Sequence, residues 1–87
     1  MLYIQDYIEL DKITKFQLLL EKGTALGSRS EGGYVKSLFQ LGNFFVELWR
    51  SAKFAHVRHL LVTEDAAILD NYLEQININS LYGGELL

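Results

Sequence analysis

Glu47, His56 and Arg58 are the residues whose types and spacing suggest chemistry. A carboxylate beside an imidazole can perform acid-base catalysis if the fold brings the two together. The same set also suits a cross-strand charge pair, Glu47 with Arg58 on the diagonal or with His56 directly, stabilising by about 0.2 to 1 kcal/mol. A flat sheet face offers no pocket to exclude water, so the charge pair is the reading carried forward. A small enzyme built on these three residues is kept as the alternative.

Other chemistry finds less support. His56 and His59 stand three apart on an expected strand, so they point to opposite faces and share no metal ion. Ser28, Ser30, Ser37 and Ser51 have no positioned base. Gly23, Gly27, Gly32 and Gly33 match no phosphate-binding pattern and precede a strand, so they read as turn residues. The expectation is a protein that is not an enzyme and carries neither cofactor nor metal.

The elements that would position these residues lie between Tyr34 and Val62. Gly42-Asn43 is the signal of a two-residue hairpin loop between strands Tyr34 to Leu41 and Phe44 to Arg50. It pairs Leu41 with Phe44, Phe39 with Val46, Ser37 with Leu48 and Val35 with Arg50, all on one face. The other face carries Tyr34, Lys36, Leu38 and Gln40 opposite Phe45, Glu47 and Trp49. Phe54 to Val62 reads as a further strand. A two-residue turn at Ser51-Ala52 would set Leu48 opposite Ala55, Val46 opposite Val57 and Glu47 opposite His56. Phe54, His56, Arg58 and Leu60 then join the second face.

Around this meander the apolar spacing changes to three and four. Leu10, Ile13, Phe16, Leu19 and Leu20 form one face of a helix over 10–21, with Asp11 to cap it and Gly23 to end it. Ile4, Tyr7 and Ile8 suit a shorter helix ahead of it. Thr24 to Arg29 is a candidate strand that closes on a turn at Ser30 to Gly33. Thr63 is a natural N-cap for a last helix with Ala66, Leu69, Tyr72, Leu73 and Ile76 on its apolar side. The tail from Asn77 reads as a turn and a loosely packed end. The expected fold is α+β, a three- to four-stranded antiparallel meander with an N-terminal and a C-terminal helix on one face, in a single domain over residues 1–87.

Such a domain buries roughly 60% of its unfolded surface, so its core is thin. An aromatic share of 13% exceeds what a thin core absorbs, which places some rings at the surface. The net charge of -3 argues against a nucleic-acid backbone as the main partner. Cysteine is absent, which excludes disulfides and thiol chemistry, and no apolar run is long enough for a membrane span or a signal peptide. The expected compartment is cytoplasmic.

The second sheet face is then the main functional lead. Tyr34, Lys36, Leu38, Phe45, Glu47, Trp49, Phe54 and Arg58 combine aromatic rings with rimming charge, the usual composition of a protein-binding surface. The competing reading lets the tail or the first few residues fold over this face as a second small core. Single-stranded RNA stacking on Phe45, Trp49 and Phe54 is a further alternative. The leading expectation is a non-enzymatic protein-binding module, homodimerisation included. By size and composition it suits a small stoichiometric inhibitor or regulator of a larger bacterial protein, such as a nuclease, toxin or CRISPR effector.

Glu21-Lys22-Gly23-Thr24, Gly32-Gly33-Tyr34, the run Leu38 to Trp49 and Tyr72-Leu73-Glu74-Gln75-Ile76 together resemble a set of short uncharacterised bacterial α+β proteins. Their pattern is an aromatic hairpin ending in Phe-x-Val-Glu, an Ile-Arg strand and a closing Tyr-Leu helix. The resemblance implies the fold and brings no activity. Arg50-Ser51-Ala52-Lys53 departs from the acidic turn of that pattern, which leaves the register of the last hairpin open.

Overall fold

The structure, a computed structural model, describes residues 2–54 and 56–73. Two helices lead in, α1 over Ile4–Glu9 and α2 over Lys12–Lys22. Asp11 caps α2 as expected, its carboxylate accepting from the Thr14 N–H and hydroxyl. The Thr14 hydrogen bonds hold this carboxyl below the usual carboxylate range.

The sheet that follows is antiparallel and runs in chain order: β1 Thr24–Glu31, β2 Tyr34–Leu41, β3 Phe44–Ser51 and β4 Val57–Thr63. A 3₁₀ helix over Ala66–Tyr72 closes the described chain. The α+β meander expected from the sequence is therefore the fold. Gly42 adopts φ +63° at the β2–β3 turn, and every β2–β3 pair falls in the register that Gly42-Asn43 implied. The β1–β2 turn is made by Gly32 and Gly33, both at positive φ.

The last hairpin departs from expectation. No two-residue turn forms at Ser51-Ala52; instead the Ser51 N–H donates to the His56 carbonyl at 2.8 Å, closing a longer loop. Glu47 pairs with Leu61 and not His56, Val46 with Val62 and not Val57, and Leu48 with Leu60 and not Ala55. A slip from 56 to 61 is odd, so the β4 side chains from His59 to Thr63 lie on the face opposite to the one expected, while the irregularity at Trp49 and Arg50 returns Val57, opposite Arg50, to the expected face. Burial explains the outcome. The observed register places Leu60 and Val62 against the helix-side core, where the other would have offered Ala55 and Val57.

Both faces of the sheet are packed, on different elements. On one side Tyr7, Leu19, Leu41, Phe44 and Val46 form a core under α1 and α2. Tyr7 is its keystone: the ring lies 5.5 Å from Phe44 and the hydroxyl donates to the Lys15 carbonyl at 2.9 Å. On the other side Leu38 and Phe45 meet Ile68 and Tyr72 of the 3₁₀ helix. The closing helix is thus not on the same face as α2. Its N-cap is Asp65, which accepts from the Ala67 N–H at 2.9 Å, while the Thr63 hydroxyl accepts from the Asp65 N–H. The expected continuation to Ile76 and the tail from Asn77 lie outside the described residues.

Candidate partner-binding surfaces

Side chains alternate along β2 and β3, so Lys36, Leu38, Glu47 and Trp49 share the face away from α2. The 3₁₀ helix then covers most of it. Leu38, Phe45 and Tyr72 are buried, and so are two charged residues, Lys36 at 5% and Glu47 at 2% exposure. A buried charge needs partners. Glu47 accepts from the Trp49 indole N–H at 2.6 Å and from the Tyr72 hydroxyl, with the Arg29 guanidinium 3.8 Å away. Lys36 pairs with Glu31 and holds its ammonium 3.8 Å from the Trp49 ring centroid. Arg29 lies over the Tyr72 ring, closing the network.

Two titrations follow from these contacts. Lys36 and then Arg29 hold the Glu31 carboxyl below its ordinary range. Burial, reinforced by the hydrogen bond and charge of Glu47, pushes the Tyr72 hydroxyl well above the usual phenol value.

The residues expected to bind a partner are therefore divided. Leu38, Phe45, Lys36 and Glu47 serve an intramolecular core. Tyr34 and Trp49 remain half-exposed beside them, their rings 5.5 Å apart. His59 joins the pair, 5.3 Å from Trp49 and edge-on to it. It stands opposite Trp49, while the place opposite Glu47 expected of His56 is taken by Leu61. Phe54 is exposed in the loop after β3, stacked with His56 at 6.2 Å. Arg58 sits at the irregularity where β4 begins and borders a cleft against α2.

Glu47, His56 and Arg58 are consequently not brought together. Glu47 is sealed under Tyr72, His56 lies in the loop, and Arg58 turns toward α2. Among the described residues no group of three or more His, Cys, Asp or Glu is placed to hold a metal ion.

One surface was hidden from the sequence reading. Ile13 and Leu20, assigned there to the core face of the helix, are 68% and 78% exposed. The inward side of α2 carries Leu18 and Leu19 instead. Tyr7 is the reason, because its buried ring fills the space beneath α2 and its hydroxyl fixes the helix at Lys15. Ile13 and Leu20 stand seven residues apart, two helical turns along one side, with Phe16 half-buried on the flank. The signal available in the sequence was an apolar arc wider than a single core contact requires, from Ile13 and Leu20 through Phe16 to Leu19.

Compared with protein-family models, curated proteins and solved structures, the chain matches none. Among the described residues no helix is long and apolar enough to cross a membrane.

Proposed function

We propose that the chain is a non-enzymatic protein-binding module whose partner docks on the outward side of α2. The observation that carries this reading is the exposure of Ile13 and Leu20 on one side of a capped helix. Burying a branched aliphatic side chain is worth about 1.5 to 3 kcal/mol, so leaving two in water together marks a surface with a use. Residues of this kind, rimmed by Gln17 and Glu21, resemble the apolar centre and polar edge of an interface. A small binder without turnover of its own suits a stoichiometric inhibitor or regulator of a larger bacterial protein, such as a nuclease, toxin or CRISPR effector. That narrower role rests on size and composition.

The test is a double variant, Ile13→Ser with Leu20→Ser, compared with the parent by affinity capture from host cells and by analytical ultracentrifugation. Both side chains face water, so melting should shift little. Capture of a partner, or self-association if the partner is a second copy, should fall at least tenfold. Equal capture and equal mass for parent and variant would remove the reading. The cluster of Tyr34, Trp49 and His59 favours a second contact area, separated from the first by the sheet. Tyr34→Ala tests it by the same two measurements.

A further inference from the structure

The cleft between α2 and the edge strand β4 gathers positive charge in an acidic protein. It measures about 340 Å³ and is lined by Lys12 and Lys15 from the helix and by Val57, Arg58, His59 and Leu60 from the strand. No carboxylate lines it. The chain as a whole carries 11 acidic against 8 basic residues, so three cations around one opening is a local reversal of sign. Arg29 and Lys36, by contrast, are paired inside the fold, Arg29 with Glu31 and Glu47 and Lys36 with Glu31. Among the described residues Lys12, Lys15 and Arg58 have no such partner. The acid nearest in sequence, Asp11, is engaged with Thr14.

Holding three like charges together costs free energy that a bound anion would offset. We propose that this cleft is a binding site for a small phosphate-bearing ligand. Arg58 offers the planar fork that grips two phosphate oxygens, and Lys12 and Lys15 act as point charges beside it. The Lys15 backbone is held at the cleft, since its carbonyl accepts from the buried Tyr7 hydroxyl. Val57 and Leu60 provide an apolar floor for the part of the ligand that carries the phosphate. His59 borders the opening while its ring packs against Trp49 on the other face, so it is not counted among the cations. The volume lies at the lower end of the range for small-molecule pockets, which suits a mononucleotide-sized phosphate monoester better than a long polymer. The site is separate from the outward side of α2, and its failure would leave the partner-binding reading untouched.

The experiment is a ¹⁵N-resolved titration of the full chain at matched ionic strength. Inorganic phosphate is the probe in one arm and adenosine monophosphate in the other. Amide shifts should concentrate at Lys12, Lys15 and Val57 to Leu60 in both arms. Tighter binding of the nucleotide would assign the apolar floor to the ester, while equal affinities would assign the site to free phosphate; either supports the site. Lys15→Gln with Arg58→Gln should weaken both at least tenfold, the loss of two charge-assisted contacts. Lys15→Arg should retain binding, and Lys22→Gln, outside the cleft, should leave it unchanged. Shifts spread equally over Lys22 and Lys53, or unchanged by the double variant, would overturn the proposal, as would no saturable shift up to about 10 mM of either probe.

Discussion

Glu47 shows how much a single residue's role depends on what covers it. From its place opposite a histidine or an arginine it read as half of a surface charge pair, and the alternation that put it beside Trp49 was sound. The covering tyrosine was not legible, because Tyr72 fits any apolar helix position and nothing in its neighbours says which sheet face it seeks. With Tyr72 in place, Glu47 becomes a buried acceptor for two donors, with Arg29 close by. Glu47→Ala would leave the buried Tyr72 hydroxyl and the Trp49 indole N–H without their acceptor and Arg29 with Glu31 alone, so denaturant unfolding should show a loss of about 3 to 5 kcal/mol. Tyr72→Phe removes one hydrogen bond and keeps the ring, and should cost only about 1 to 3 kcal/mol. Reversal of that order would show the network to be dispensable. Tyr7 supplies a pH test. Burial raises its hydroxyl from 10.0 to about 12. A raised folded pKa gives stability that is whole below the unfolded value and is lost as pH climbs through the folded one. Stability should therefore decline between about pH 10 and 12, by roughly 2 to 3 kcal/mol from this group. Tyr7→Phe should flatten that decline in urea titrations across the window, and an unaltered slope would refute the assignment.

Elements were legible where the chain carries turn chemistry and ambiguous where it does not. Gly42 and Asn43 name a hairpin loop, and β2 and β3 pair as that loop requires. Ser51 and Ala52 name nothing, so the β3–β4 register is decided by which side chains reach the core, a nonlocal contest that Leu60 and Val62 win. The same limit applies to α2: spacing identified a helix, while its rotation was set by Tyr7 of the preceding element. The turn glycines give a direct test of the legible part. Gly33 adopts φ +83°, and a Cβ there would meet nothing within 4 Å. Gly33→Ala isolates backbone conformation from packing and should cost about 1 to 2 kcal/mol by thermal melting. A neutral result would mean that the β1–β2 turn takes another conformation in solution.

At the scale of the molecule, the single sheet supports a core on each face, and this couples parts of the chain that never touch. Leu38 and Phe45 point to the 3₁₀ helix from the same strands that send Leu41, Phe44 and Val46 toward α1 and α2. Neither half has strands of its own, so loss of one core removes a wall of the other. Trp49 is the chain's only tryptophan and sits on the 3₁₀ side, which makes its fluorescence a reporter for that face alone, while circular dichroism follows the whole. The two signals should melt together. Ile68→Ala, which deletes buried volume only on the 3₁₀ side, should cost about 2 to 5 kcal/mol. For a domain of this size each 1 kcal/mol lowers Tm by roughly 4 to 8 °C. If the cores are coupled, fluorescence and dichroism will fall by the same amount in this variant. An earlier fluorescence transition, with dichroism left near its original Tm, would instead show a 3₁₀ helix that opens by itself over an intact sheet, exposing Leu38, Phe45 and Glu47 as the sequence first suggested.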